Sequence, residues 1–254
     1  MSTNPYESPQ PLESVAPPTM SEVVGVPFES AHARSISARA MMSLVLALEL
    51  MSMVSLWMQI RLLQAARVGQ VTQEQLESND FRQQMLGFAA LALAIPNVVC
   101  FLMWFHRAYR NLPALGAAGL NYTPRWAVGS WFVPFLNLVR PCQIANEIWR
   151  ASDPRISEPW GAAWRRAKLT PLIGLWWATW IITNIASNIA SRLPADDIDQ
   201  LTSTSWCWIA AGVPRLISAA LAIWLITAID RRQEQKYERR FQQGQPVAVE
   251  MTPA

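Results

Sequence analysis

Four long apolar stretches constrain the fold of this chain more than any other feature. They cover residues 40–60, 85–105, 170–190 and 207–229, and each is 21 to 23 residues long. An α-helix rises about 1.5 Å per residue, so each stretch can cross a hydrocarbon core of about 30 Å. With 52% hydrophobic and only 15% charged residues, the chain is more apolar than a typical soluble domain. The sequence therefore predicts an all-α membrane protein with four transmembrane helices.

Lysine and arginine are distributed unequally between the segments that flank these stretches. Sixteen of them lie before residue 40, between residues 106 and 168, or after residue 229, whereas the other two loops hold only Arg67, Arg82 and Arg192. Positive residues are retained on the cytoplasmic side of a membrane. We therefore expect a multi-pass protein of the inner cell membrane with both termini in the cytoplasm.

The two ends of the chain differ in composition from the transmembrane domain, 37–230. Residues 1–36 are rich in proline and cannot bury enough apolar surface to offset their ordering entropy, so they predict a disordered cytoplasmic tail. Residues 231–254 begin basic and end polar, which predicts a second cytoplasmic tail. The polar residues 64–84 predict a loop with at most some helix.

The segment 126–138 is apolar and aromatic but too short to cross a membrane. Its 13 uncharged residues would make about 20 Å of helix, and Arg125 and Arg140 stand at its ends. If it crossed, the positive residues that follow would change sides and the fourth helix would invert. We predict a cytoplasmic insertion that either re-enters the membrane or lies flat at its surface.

The residues after this segment predict an amphipathic helix over 141–152. Asn137 could cap its start, and Asp153-Pro154 ends it because the residue before a proline is pushed out of the α region. Such a helix lies at a membrane surface. Its apolar face carries Ile144, Ala145, Ile148 and Trp149, and its polar face carries Gln143, Asn146, Glu147 and Arg150.

The interfacial segment as a whole, 124–154, has two interpretations. It is either a plain membrane anchor or an element that docks a partner or senses lipids, with anionic headgroups at its basic residues. A protein partner or a second copy of the chain is compatible with the second interpretation. The candidate surface comprises Trp126, Trp131, Pro134, Asn137, Arg140, Pro141, Glu147, Trp149 and Arg150.

The two charges inside the apolar stretches, Glu49 and Arg215, lie at similar predicted depths. Counted from the ends of their stretches at about 1.5 Å per residue, their heights differ by about 4 Å. An unpaired charge there costs about 2.5–3.5 kcal/mol on insertion scales, so we hypothesise that they pair. Asn97 and Asn184 fall near these depths and complete a candidate polar layer. The layer is either structural, through hydrogen bonds between helices, or an ion path or polar substrate pocket.

A second polar pattern lies on the third stretch. Asn184, Ser187, Asn188 and Ser191 are spaced i, i+3, i+4 and i+7, so they share one helix face. This face either lines an aqueous cavity or packs against a neighbouring helix.

Several sequence blocks resemble a bacterial integral-membrane family that is catalogued as domain of unknown function 4328. The resemblance covers roughly residues 40–235 and is most specific in WAVGSWFVP and EIWRASDP. It implies four membrane helices with an amphipathic middle segment, and it implies no catalytic residues. The blocks are FHRAYRNL from residue 105, TPRWAVGSWFVP from residue 123, EIWRASDP from residue 147, LWWA from residue 175 and ITNI from residue 182.

The sequence offers little chemistry for an enzyme. Cys100, Cys142 and Cys207 form no CxxC pair, and the two histidines lie far apart, so we expect no metal and no cofactor. A net charge of +3 gives no argument for nucleic acid. The leading interpretation is a non-enzymatic scaffold or partner-binding membrane component. The alternative is a small transporter or channel subunit that uses the polar layer.

Overall fold

The computed structural model describes residues 27–156 and 161–243. In this part of the chain the helices are α1 (His32–Ala66), α2 (Gln73–Arg110), α3 (Pro124–Gly129), α4 (Arg140–Ala151), α5 (Pro171–Ala190) and α6 (Ile198–Gln242). Two short 3-10 helices, Leu136–Leu138 and Ala163–Arg166, accompany them, and the described residues form no β-strand beyond an isolated bridge between Ala117 and Gly161. The predicted all-α class is confirmed.

Local signals explain where two of the long helices begin. Thr72 and Gln75 form a reciprocal capping box at the start of α2. The Asp197 side chain accepts a hydrogen bond from the Gln200 backbone N–H at the start of α6. Pro96 and Pro214 lie inside α2 and α6, where neighbouring helices can compensate for the freed carbonyl groups.

Three helices, α1, α2 and α6, are long and apolar enough to cross a membrane. The predicted fourth span, 170–190, also forms a helix, α5, but does not belong to this group. Its three tryptophans and two asparagines lower its hydropathy, because an indole N–H and a side-chain amide both favour water. By length and hydropathy, three helices of the described residues are candidate spans, one fewer than the four predicted.

The long helices form an antiparallel array in which α1 lies between α2 and α6, and α5 packs on the other side of α6. The α1–α2 and α5–α6 connections lie at one end of the array, which we call the hairpin end. At the opposite end lies the cap, which comprises residues 106–123, α4 and residues 230–242. Residues 124–139, which we call the insertion, join the cap to the gap between α2 and α5.

Polar pairs fix the register of α1 against α6 along its whole length. As the residue number in α1 falls, the partner's number in α6 rises steadily, as antiparallel packing requires. The two helices that are furthest apart in the sequence are therefore held together from end to end. The pairs are Arg67 with Asp199, Gln59 with Ser205, Glu49 with Arg215, Arg39 with Thr227 and His32 with Asp230.

The large buried side chains concentrate near the cap. Trp104, Phe105 and Tyr109 of α2 are fully buried there, as are Ile148 of α4 and Ile229 of α6. Towards the hairpin end, most buried residues other than Ile60 and Leu63 are small or polar, and the exposed residues are large and apolar. An apolar exterior of this kind suits a hydrocarbon surrounding, which solvates such side chains without cost.

The described helices extend beyond the predicted boundaries at three places. α1 begins at His32, inside the predicted disordered tail, and α6 continues to Gln242, through the start of the predicted C-terminal tail. α2 begins at Gln73, inside the predicted loop. These extensions are held by contacts that local patterns do not reveal, such as the stacking of Phe28 on Tyr237 at 4.2 Å between ring centroids. The remaining parts of the two tails, 1–26 and 244–254, lie outside the described residues.

Candidate functional site

The insertion enters the gap between α2 and α5 and turns back. Pro124 occupies the first turn of α3, where its missing N–H leaves no hydrogen bond unmade. After α3 the chain reverses through turns to the 3-10 helix Leu136–Leu138. Phe135 precedes that helix with a φ of 63°, a left-handed conformation that is uncommon for an aromatic residue. The insertion therefore folds back on itself between the two helices.

Trp131 is the residue that wedges the insertion between the two edge helices. Its ring lies 5.4 Å from Phe101 of α2 and 5.6 Å from Trp180 of α5, and both contacts are edge-on. Trp180 is nine residues into α5, so Trp131 reaches about 14 Å along that helix. The Trp177 indole also donates a hydrogen bond of 2.8 Å to the Leu138 carbonyl. These contacts hold the insertion against both helices.

The turn of the insertion leaves large apolar side chains uncovered. Phe132 is 68% exposed and Phe135 is 83% exposed, and Val133, Leu138 and Val139 are also exposed. At the base of the turn, the Arg140 guanidinium stacks over the Trp126 ring at 4.3 Å. An apolar tip above a cation stacked on an aromatic ring is the pattern of an element that enters a membrane surface.

α4 forms as predicted, and its apolar face is buried. Two details of the prediction are wrong. Asn137 does not cap the helix, since its N-cap is Val139 and no side chain caps it. Glu147 does not face solvent but is only 4% exposed. Glu147 lies on the side of α4 that meets residues 119–123, and a helical-wheel pattern cannot reveal such a polar partner.

Glu147 connects α4 to α2 and to the loop that follows α2. Its Oε1 accepts hydrogen bonds from the Asn121 backbone N–H at 2.7 Å and from the Asn121 side-chain amide at 3.1 Å. Its Oε2 lies 3.0 Å from the Tyr109 hydroxyl, which also bonds to the backbone of Tyr122. Burial raises the pKa of the Glu147 carboxyl, and these hydrogen bonds and Arg165 oppose that shift. The two N–H groups of Asn121 donate to Oε1, so a proton on that oxygen would point at another donor. When the carboxyl is protonated, the proton therefore lies on Oε2.

A second buried carboxylate, Asp153, ends α4 and binds it to α6. Arg155 contacts it through two nitrogens, and the Arg232 guanidinium lies 3.2 Å from its Oδ2. The hydrogen bonds from Arg155 lower the pKa of the Asp153 carboxyl to about 2. Arg232 also stacks over Trp149 at 4.1 Å. The predicted surface residue Trp149 is thus buried between α4 and α6.

Residues of α6 beyond Ile229 complete the cap. The Gln233 amide donates to the Ala108 carbonyl at 2.8 Å, and the Lys236 amine donates to the Ala151 carbonyl at 2.7 Å. Both side chains are almost fully buried. Burial lowers the pKa of the Lys236 amine to about 8, with a smaller contribution from Arg240. The basic residues after the last apolar stretch therefore serve partly to pack the cap.

Glu49 and Arg215 form an ion pair in the middle of the array. Arg215 Nη1 lies 2.8 Å and 2.9 Å from the two carboxylate oxygens, and Nη2 donates to the Ser187 hydroxyl at 2.6 Å. Gly212 leaves room for the pair, since a Cβ there would lie 2.8 Å from Glu49 Oε1. One member of the predicted polar stripe of α5, Ser187, therefore joins this pair.

The two asparagines of the predicted layer are not hydrogen-bonded to this pair. The Asn184 amide donates to the Trp180 carbonyl of its own helix, and the buried Asn97 Oδ1 accepts no hydrogen bond from the described residues. The depth of Asn97 differs from the prediction because the prediction takes residue 40 as the start of the first helix. α1 begins eight residues earlier, at His32, so a different residue of α1 lies opposite Asn97. The hydrogen bonds Gln59–Asn79 and Ser55–Arg82 set the register of α1 and α2. Continued along the helices, this register brings Asn97 level with Ala40, about 14 Å from the level of Glu49.

A polar network near the hairpin end was missed by the sequence analysis. Arg82 donates to Asn79 Oδ1 at 2.6 Å, Asn79 donates to Gln59 at 3.3 Å, and Gln59 donates to Ser205 at 3.1 Å. Three helices are joined in this way. The polar composition of residues 64–84 predicts a loop rather than a helix. A helical pattern starting at the Thr72–Gln75 capping box would have placed Asn79 and Arg82 on adjacent positions of one face.

The described residues contain no group of three or more His, Cys, Asp or Glu side chains that could hold a metal ion. The three cysteines are free thiols. The site therefore consists of an inserted hairpin, a packed cap with two buried carboxylates, and an ion pair between helices.

The fold and its apolar exterior define a helical protein of the kind that is compatible with a membrane. The family described as domain of unknown function (DUF4328) matches residues 67–231, and the chain belongs to that family. The family suggested by the sequence blocks is thereby confirmed. No curated protein and no solved structure matches the chain.

Proposed function

We propose that the protein crosses the inner membrane four times, has both termini in the cytoplasm, and acts as a non-enzymatic scaffold that holds a partner at its cap. The observation that carries this proposal is the way both ends of the chain build the cap. Gln233 and Lys236 of α6 are buried against α2 and α4, and Glu29 pairs with Arg107. A scaffold needs a surface of fixed shape, and inward-facing ion pairs and hydrogen bonds give the cap such a shape.

The position of α5 supports a fourth crossing despite its lower hydropathy. The chain leaves the cap before Pro171 and reaches Asp199 at the hairpin end, where Arg67 pairs with it. Only α5 and a short loop connect these points. Its 20 residues span about 30 Å. The three tryptophans of α5 then lie on the cytoplasmic side, where they pack on the insertion.

The membrane partner follows from the same placement. The exposed Phe132 and Phe135 enter the hydrocarbon of the cytoplasmic leaflet, and Arg125, Arg140 and Lys168 meet anionic headgroups. Each cation within a Debye length of such a leaflet contributes about 1 kcal/mol.

Cysteine accessibility in intact cells tests the topology. The native cysteines are first replaced, and single cysteines are introduced as Arg192→Cys beyond α5 and Arg125→Cys at the insertion. We expect an impermeant thiol reagent to label the first variant directly and the second only after the membrane is opened. Protection of Arg192→Cys in intact cells would contradict a fourth crossing.

Site-specific photocrosslinking tests the scaffold role. A photoreactive residue replaces Gln235, which is exposed in the part of α6 that belongs to the cap, and in a control replaces the exposed Gln70 at the hairpin end. We expect a discrete protein adduct from the cap position only. The scaffold proposal fails if several exposed cap positions give no adduct in growing cells.

One observation favours a second candidate function, a transporter or channel subunit. The face of α5 that contacts the insertion through Trp177 and Trp180 continues towards the hairpin end as Asn184 and Asn188, and both of these are exposed. Above the insertion no described residue covers this polar face, and Ser187 beside it reaches the Glu49–Arg215 pair. Water in the gap between α5 and α2 would then lead to an intramembrane ion pair.

The same labelling method separates the two candidates. Asn184→Cys and Asn188→Cys test the polar face, and Ile182→Cys is the matched control because Ile182 is exposed on the opposite face of α5. Labelling of the asparagine positions but not of Ile182→Cys would support transport. A scaffold with a dry gap predicts no labelling at any of the three.

A further inference from the structure

A cavity lies beside α4, between the loop that follows α2 and the segment that leads to α5. Its volume is about 300 Å³, at the lower end of the range for small-molecule sites. It is lined by Asn121, Tyr122, Gln143, Asn146, Glu147, Arg150, Trp164 and Leu169.

The lining carries both signs of charge in a confined space. Glu147 has three polar contacts, with two on Oε1 and one on Oε2, which leaves Oε2 able to accept one more. Arg150 lies one turn further along α4, and no described residue accepts a hydrogen bond from its buried Nε. A ligand that satisfies both groups carries a cation with N–H donors and an anion with several acceptor oxygens.

The aromatic and apolar residues of the lining agree with such a ligand. Trp164 is buried, with its indole donating to the Ala118 carbonyl at 2.9 Å, so that its ring forms a fixed wall. An ammonium group gains from an aromatic wall beside a carboxylate. Leu169 is 49% exposed and lies two residues before α5 begins. It offers an apolar surface to an acyl chain.

We propose that this cavity binds the headgroup of a phospholipid that carries a primary ammonium and a phosphate, as in phosphatidylethanolamine. Glu147 accepts hydrogen bonds from the ammonium, and Arg150 donates to the phosphate oxygens. The acyl chains run along the insertion past Leu169. This inference goes beyond the scaffold role and rests only on the proposed cytoplasmic-leaflet position of the insertion. The labelling experiments above test that position separately.

Native mass spectrometry of the full-length protein, purified in detergent, tests the proposal. The protein is incubated with phosphatidylethanolamine, phosphatidylcholine or phosphatidylglycerol of identical acyl chains, and retained lipid is counted. Phosphatidylcholine keeps the phosphate but its trimethylated nitrogen has no N–H donor. We expect about tenfold stronger retention of phosphatidylethanolamine than of phosphatidylcholine, the effect of one charge-assisted hydrogen bond.

Two variants assign the contacts. Glu147→Gln keeps an acceptor for Asn121 but removes the negative charge, so the preference for phosphatidylethanolamine over phosphatidylcholine should disappear. Arg150→Gln should lower retention of all three lipids and leave that preference intact. Glu77→Gln is the matched control, because Glu77 is an exposed carboxylate at the hairpin end. If Glu147→Gln unfolds in the detergent, two measurements still test the proposal. These are the comparison of the three lipids on the native protein and the retention by Arg150→Gln.

Several results would overturn the proposal. Equal retention of phosphatidylethanolamine and phosphatidylcholine by the native protein would show that the ammonium is not recognised. Stronger retention of phosphatidylglycerol would indicate an anion site made by Arg150 alone. Displacement by equimolar soluble phosphoethanolamine would assign the cavity to a water-soluble ligand. A Glu147→Gln preference identical to that of Glu77→Gln would leave Glu147 with a purely structural role.

Discussion

The two ends of this molecule are held together in different ways. At the hairpin end, α1, α2 and α6 meet through single polar contacts such as Gln59 with Ser205, while large apolar residues face outwards. Near the cap, aromatic rings interlock and ionised side chains are buried between helices. Hydrocarbon solvates apolar side chains as well as a protein core does, so there is little apolar driving force for helices to pack within it. With the cap in water, as proposed above, that driving force acts on the cap.

The comparison predicts that the two ends respond differently to the same substitution. Trp104 is fully buried near the cap, whereas Trp57 on α1 is 52% exposed towards the hairpin end. Trp104→Ala should lower the free energy of unfolding by about 3–5 kcal/mol, the usual effect of emptying an aromatic site. Trp57→Ala should change it by less than about 0.5 kcal/mol. Unfolding in mixed micelles, followed by circular dichroism, measures both, and equal losses would contradict the proposed division.

The buried carboxylate of the cap predicts sensitivity to acid. Because the pKa of Asp153 is lowered to about 2 in the fold, its stabilising contribution is complete above the unfolded pKa, about 3.9, and is lost as the pH falls towards 2. Asp153→Asn should lower the free energy of unfolding by about 3 kcal/mol at neutral pH, since it leaves Arg232 without its carboxylate. The variant should also lose less stability than the native protein between pH 4 and pH 2. An unchanged acid profile would assign the stabilisation to other carboxylates.

The ion pair between α1 and α6 predicts a coupling of intermediate size. Glu49→Gln, Arg215→Gln and the double variant form a double-mutant cycle, and unfolding in mixed micelles measures each. The loss in the double variant should be smaller than the sum of the single losses by about 1–2 kcal/mol, because either substitution alone strands the other charge. Strictly additive losses would mean that the two charges do not support each other.

The last prediction concerns the buried amine of the cap. The pKa of Lys236 is lowered to about 8, below its unfolded value of about 10.4, so between these values the unfolded chain binds more protons. This difference makes stability rise with pH over that range. Lys236→Met should abolish that rise while the other groups titrate as before. Parallel stability profiles of the native protein and the variant from pH 8 to 10 would contradict a buried, destabilised ammonium.

Much of this architecture could be predicted from local sequence. The apolar stretches around residues 40–60, 85–105 and 207–229 lie in the three helices that are long and apolar enough to cross a membrane. α4 ends before Asp153-Pro154, as predicted, because a proline disfavours the α conformation of the residue immediately before it. The pairing of Glu49 with Arg215 was also accessible, because charges in apolar stretches are few and their depths can be compared.

Other features depended on partners that are distant in the sequence. Glu147 reads as a solvent-facing residue on a helical wheel, yet Asn121 and Tyr109 bury it. The basic residues of α6 read as a solvated tail, yet the carbonyl of Ala151 and the carboxylate of Asp153 draw Lys236 and Arg232 into the cap. The predicted depth of Asn97 is wrong because it depends on where α1 begins. The start of α1 determines which of its residues lies opposite Asn97.

The sequence by itself determined the helical class, the apolar segments and the short aromatic insertion, because these follow from composition and from the periodicity of neighbouring residues. Only the tertiary structure decided the register of α1 against α6, the depth of Trp131 and the burial of Glu147. Each of these depends on which surface of another helix lies opposite, and that is a property of the packed chain rather than of any local pattern.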